Sequence, residues 1–180
     1  LKQHKYAMDA GVFHNDVISF GFKDKLFCHV DSFEDQANKI DQLKLRYKTI
    51  FKHPLTVIEI NSISLKDAVD TYLFNSQVII NNNHHTLICP TTVKENTKTH
   101  SIINQWQNKG HFDSIIFVPL TQSLMNGGGP ACMRLNTLIN KEELNQIPNH
   151  YLLTINQLNK LKIFVQNNYP ELFNTTSLNA

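Results

Sequence analysis

In the stretch GVFHNDVISFGFKDKLFCHV, residues 11–30, β-branched and aromatic residues lie on both sides of a short charged break. The spacing predicts a loop carrying His14, a strand over Val17–Phe20, a hairpin turn at GFKDK and a returning strand over Leu26–Val30. Beyond the hairpin the period changes. SFEDQANKIDQLKLRYKTI, residues 32–50, has an acidic start and apolar residues at helical spacing, with Ser32 as a candidate cap. LTVIEI, Leu55–Ile60, then reads as a strand. A hairpin followed by a helix and another strand points to an α/β chain.

The alternation continues. Ser64 is placed to cap a helix running to about Phe74, and His85–Pro90 is a strand stopped by proline. Residues 96–110 form a helix closed by Gly110, and Asp113–Leu120 is a further strand. After the glycine-rich segment MNGGGPAC, the run CMRLNTLIN reads as a strand, and TINQLNKLKIFVQNNYP as an amphipathic helix ended by Pro170. No repeat of 20–50 residues is visible in the letters. Hairpins at both ends favour small mixed sheets over one parallel doubly wound sheet.

The chain has 180 residues, 41% of them hydrophobic, which suffices for a sizeable core. A net charge of +2 without a long Lys/Arg run predicts no nucleic-acid partner. No apolar segment approaches the length of a membrane span, so no membrane partner is expected, and the N-terminus lacks the apolar core of a signal peptide. The three cysteines, Cys28, Cys89 and Cys132, are widely spaced and odd in number. That pattern argues against a disulfide framework and for a reducing, cytoplasmic setting.

Two segments could carry chemistry. In MNGGGPACMR, Cys132 follows the stiff Pro130 at the edge of a glycine loop. A nucleophile needs fixed geometry and room for substrate, and this loop offers both; a plain flexible turn is the alternative. A reactive thiol also needs a base or charge partner. FHND supplies His14 and Asp16, which point to the same side of an extended segment, although an exposed polar turn would read the same way. Neither phosphate-loop nor dinucleotide spacing is present, and no cofactor is expected. His84 and His85 read as a loop before a strand. With Cys89 they lack a second ligand pair, so no metal site is expected either.

Taken together, GVFHNDV, LFCH, DTYLFNSQ and NGGGPACMRL resemble, in this order and spacing, the C-terminal half of succinylarginine dihydrolase. That family belongs to the guanidino-group-modifying superfamily. The resemblance implies a pentein-type α/β propeller, of which residues 1–180 would supply about two blades and part of another. The chain would then be the C-terminal part of a single catalytic domain, with the N-terminal half absent. It further implies Cys132 as nucleophile, His14 as catalytic histidine, and Asp16 and Asn126 as substrate-binding residues. The implied reaction converts N2-succinyl-L-arginine to N2-succinyl-L-ornithine, two ammonia and carbon dioxide through a thiouronium adduct on Cys132. The intact enzyme would be a homodimer.

The family also draws an acidic residue, an arginine and further contacts from its N-terminal half, so the chain by itself is expected to be inactive. Uncovered blade edges would favour self-association. Thr121 and Gln122 stand where Arg-Glu is common in the family, and Asn136 where a basic residue is common. Two other readings remain open: a different guanidino-modifying enzyme of the arginine deiminase or amidinotransferase type, and a non-catalytic remnant.

Overall fold

The computed structural model describes residues 1–132 and 139–169. Its elements run α1 (Lys5–Asp9), β1 (Ser19–Phe22), β2 (Lys25–His29), α2 (Gln36–Phe51), β3 (Thr56–Ile60), α3 (Leu65–Thr71), β4 (Gln77–Asn81), β5 (His84–Pro90), α4 (Thr91–Glu95), α5 (Thr97–Asn108), β6 (Ser114–Val118), α6 (Thr121–Met125), α7 (Lys141–Gln146) and α8 (Ile155–Asn168). The chain divides into two units, 1–135 and 136–180.

The first unit contains two three-stranded mixed sheets, ordered β1-β2-β3 and β4-β5-β6. Each is built the same way. An antiparallel hairpin comes first, then a helical crossover, then a strand parallel to the second hairpin strand. Parallel neighbours require such a crossover, which α2 supplies in one module and α4–α5 in the other. Strands start at Ser19, Lys25 and Thr56 in the first module and at Gln77, His84 and Ser114 in the second, a nearly constant offset. A three-residue 3-10 turn precedes each hairpin, at Asn15–Val17 and Leu73–Asn75. The sheets are therefore small and mixed, as expected, but the second hairpin is β4–β5 in the middle of the unit, where no strand is expected before His85, and β6 leads into α6.

Local chemistry explains both hairpins. Pairing of Phe22 with Lys25 leaves Lys23 and Asp24 as a two-residue turn, with Lys23 at φ 51. Pairing of Asn81 with His84 leaves Asn82 and Asn83 at φ 47 and 62, the pattern of a type I′ turn. Asparagine is among the few side chains that tolerate this region, which accounts for Asn82 and Asn83. The expected β1 shifts two residues toward the C-terminus, because residues 15–17 close a 3-10 turn before the strand begins. Ser32 does not cap α2. It is fully buried, and its hydroxyl donates to the carbonyls of Ile18 and His29, while Asp35 opens the helix. Ser64 does cap α3, in a reciprocal box with Asp67. That helix ends at Thr71, before Tyr72 turns left-handed at φ 54. The expected strand over 132–140 lies mostly outside the described residues.

The core of this unit joins the two modules. Phe27 of β2 stacks on Phe20 at 4.7 Å and meets the Trp106 ring of α5 edge-on at 4.8 Å, with Phe112 at 5.5 Å. Burying such a side chain contributes roughly 1.5–3 kcal/mol relative to leaving it exposed. Along β5, Leu87 and Cys89 are fully buried while Thr86 and Ile88 are only half-buried, the two-residue period of a strand with one face inward. In the second unit, Asn140 with Glu143 and Thr154 with Gln157 form capping boxes that start α7 and α8. Among the described residues no helix is long and apolar enough to cross a membrane.

Candidate active site

The glycine loop is a held structure rather than a slack turn. Leaving β6, the chain enters α6, and three backbone bonds then close it: Asn126 and Gly128 N–H donate to the Ser123 carbonyl at 3.0 and 2.9 Å, and Gly127 N–H to Leu124 at 2.9 Å. The Ser123 hydroxyl donates to the Gly128 carbonyl at 2.7 Å. Gly127 sits at φ 79, where a side chain would be strained. Gly129 is buried for a different reason. A Cβ there would collide with the Asn75 side-chain oxygen and come within 2.9 Å of Tyr72 Cδ1. Only glycine lets the loop pass that close.

Asn75 is the surface against which the loop ends. It closes the 3-10 turn after α3 and is fully buried. Its backbone carbonyl accepts from Ala131 N–H at 3.0 Å. Its side-chain oxygen accepts from the N–H groups of Ala131 at 3.2 Å and Cys132 at 3.4 Å. Its Nδ2 donates to Cys132 Sγ at 3.2 Å. The thiol of Cys132, in turn, donates to Asp16 Oδ2 at 3.6 Å.

Asp16 belongs to the corresponding 3-10 turn of the first module. Its other oxygen, Oδ1, lies 2.6 Å from His14 Nδ1 and is buried without a hydrogen-bond partner. Asp16 is 28% exposed and His14 68%, so the carboxylate is half-covered and the imidazole faces solvent. Asn15 between them fastens the turn, with Nδ2 donating to Ser19 Oγ at 2.6 Å and that hydroxyl donating back to the Asn15 carbonyl. An open cleft of about 540 Å³ runs beside His14, Asn15 and Asp16, bordered by Gln3, Phe20 and Phe33. That volume falls within the range of small-ligand sites.

Asp16, His14 and Cys132 thus converge from both ends of the first unit; Asp16 and Cys132 are 116 residues apart in sequence. Asn126 is placed differently. It is exposed at the end of α6, and its amide donates to the Gln122 carbonyl at 2.9 Å. The other cysteines are excluded as nucleophiles by their surroundings. Burial pushes the Cys28 thiol up to about 12, helped by the Glu59 charge, and burial pushes Cys89 to about 12 as well. Tyr72 beside the loop is also raised, first by burial and then by the charges of Cys132 and Asp16. His84 and His85 gather on Asp113 at 4.0 and 3.9 Å, and Lys23 Nζ lies 2.7 Å from His85 Nε2. An ammonium there competes with any cation. Among the described residues no cluster of three or more side chains could hold a metal ion.

A model of the succinylarginine dihydrolase family matches residues 1–180. The chain belongs to the succinylarginine dihydrolase family. It is similar to the N-succinylarginine dihydrolase of Shewanella oneidensis, 33% identical over 99% of this chain and 40% of that protein. The relative from Idiomarina loihiensis is 34% identical over 95% of this chain and 39% of its own length. That of Photobacterium profundum is 37% identical, over 94% and 38%. The chain therefore spans about 40% of the length of the curated relatives it matches. In this member of the succinylarginine dihydrolase family, the sequence reading missed Asn75. DTYLFNSQ marked the segment without giving its asparagine a role. No letter-level signal singles it out: the two 3-10 turns precede equivalent hairpins, but in register Asn75 falls opposite Val17 and Asp16 opposite Phe74.

Proposed function

We propose that the protein acts in arginine catabolism by hydrolysing N2-succinyl-L-arginine, with two waters, to N2-succinyl-L-ornithine, two ammonia and carbon dioxide. The observation that carries this reading is the meeting of an exposed thiol with a carboxylate–imidazole pair, Cys132 Sγ 3.6 Å from Asp16 and Asp16 2.6 Å from His14. A guanidinium carbon is a poor electrophile because its charge is delocalised. A carboxylate that grips the guanidinium nitrogens and turns the carbon toward sulfur is the help such a reaction requires.

Cys132 as thiolate attacks the guanidinium carbon. One nitrogen leaves as ammonia, protonated with the aid of His14, and a thiouronium adduct remains. Water deprotonated by His14 attacks that carbon and the C–S bond breaks, returning the thiolate and leaving a ureido group. In a second round the sulfur attacks the ureido carbon and ammonia leaves. Water then hydrolyses the thiocarbamate, and the resulting carbamate loses carbon dioxide to give the ornithine amine. Asp16 binds the cation, and Asn126 contributes a substrate contact from the glycine loop.

The two ββαβ modules at constant offset favour reading them as successive blades of a pentein-type propeller, with residues 1–180 as the C-terminal part of one catalytic domain. The complete enzyme is a cytoplasmic homodimer that needs no cofactor. The test incubates N2-succinyl-L-arginine with this chain, alone and with a polypeptide supplying the remainder of a relative's length. No ammonia is expected from the chain alone. Two ammonia per succinylornithine are expected from the pair, and none with Cys132→Ala. One ammonia, with a ureido product, would make the protein a deiminase and overturn the proposal.

A further inference from the structure

We propose that Asn75 is a positioning residue for the nucleophile, its side-chain nitrogen holding the sulfur of Cys132 while its oxygen holds the loop that carries it. The four contacts already described come from one fully buried side chain and its own carbonyl. The orientation of the amide follows from them. Exchanging its oxygen and nitrogen would turn two backbone N–H donors toward an NH2 group, so the nitrogen must face sulfur.

The charge balance at sulfur gives this contact its purpose. The groups facing Cys132 are Asp16, with His14 behind it, and Tyr72. While the thiol keeps its proton, S–H donates to the Asp16 carboxylate. Once the proton leaves, the same 3.6 Å approach sets two negative charges side by side. The Asn75 N–H strengthens at that moment, because a donor bonds more tightly to an anion than to a neutral acceptor. An asparagine can offset the repulsion without adding charge to the pocket. Gly129 protects the arrangement by leaving the space that the amide fills. Asn75 lies 57 residues before Cys132, and only the second module's 3-10 turn brings it there.

This inference rests on the reading of Cys132 as nucleophile, but alkylation of the thiol reports on it whether or not turnover occurs. Iodoacetamide labelling of Cys132 is followed by mass spectrometry across pH in the parent, Asn75→Asp and Asn75→Ala. Aspartate keeps the acceptor and loses the donor; alanine loses the donor without adding charge. Both should move the alkylation profile to higher pH and slow labelling at neutral pH about tenfold. In the parent, the Asn75 side-chain N–H proton resonances should shift over the same pH range in which Cys132 becomes reactive, a readout that needs no variant to fold. A parent profile in a folded variant, or Asn75 resonances indifferent to that transition, would overturn the proposal. A shifted profile in a protein that releases no ammonia with its remainder restored would instead sink the hydrolase reading alone.

Discussion

The two ββαβ modules share a strand order and differ most tellingly at the turn before the hairpin. In the first, the 3-10 turn before the hairpin carries Asp16, half-exposed and paired with an exposed His14. In the second, the equivalent turn carries Asn75, neutral and fully buried. Both reach Cys132, one with a carboxylate and one with an amide. The two turns thus reach one sulfur from different positions, Asp16 at the middle of its turn and Asn75 at the end, and side-chain chemistry divides the work. On the proposed function the exposed turn meets the substrate cation, whereas the buried one holds the protein's own sulfur and backbone.

The largest expected effect tests whether the modules stand as one body. Phe27 belongs to the first module and packs on Trp106 of the second. Phe27→Ala should cost about 3–5 kcal/mol in urea unfolding. A loss below about 1 kcal/mol would mean the modules do not share a core. Next comes the exposed turn. His14→Ala should lower ammonia release about a hundredfold in the assay with the remainder restored, with little change in unfolding. An unchanged rate would remove His14 from the chemistry.

Gly129→Ala tests the close pass between loop and second module. The added methyl must displace Asn75 or Tyr72, at a cost of roughly 1–3 kcal/mol. Cys132 labelling should change along with stability; if it does not, loop and turn are uncoupled. The smallest effect belongs to Ser64→Ala, about 1 kcal/mol from the lost α3 cap. Its pH dependence has a definite sign. The hydrogen bond from Ser64 holds the Asp67 carboxyl well below its ordinary 3.8, aided by Asn96 and Lys98. A depressed carboxyl stabilises fully above its unfolded value and loses that contribution as pH falls through the folded one. The Ser64→Ala deficit should thus be complete at neutral pH and shrink in acid. A deficit constant with pH would assign the cap no ionic part.

Much of this architecture is readable in the letters because its determinants are local. The FKDK break, the Ser64-x-x-Asp67 box and the alternation in HTLICP each act within a few residues. β4 escaped because the apolar letters of YLF, in the 3-10 turn after α3, run on into QVII, which lacks the alternation of a half-buried strand. α4 and α6 are single short helices of five residues, too brief for periodicity to register. His14 and Asp16 were legible as a pair two positions apart, but the segment joining them is a 3-10 turn over Asn15–Val17 and not the extended stretch expected. Asn75 was not legible, because a buried asparagine takes its meaning from Cys132, far along the chain. Ser32 misled for the same reason, its hydroxyl being spent on the Ile18 carbonyl across the hairpin.

On the proposed function, Cys132 and Asp16 form one site for a guanidino cation. This claim can be tested on this chain by comparing Cys132 modification by 2-chloroacetamidine, a cation, and by 2-chloroacetamide, its neutral analogue. Each rate is divided by that with free cysteine, in the parent and in Asp16→Asn. About a tenfold preference for the cation is expected at Cys132 and not at the buried Cys28 or Cys89, abolished by Asp16→Asn. Equal normalised rates in the parent, or a preference that survives Asp16→Asn, would contradict it.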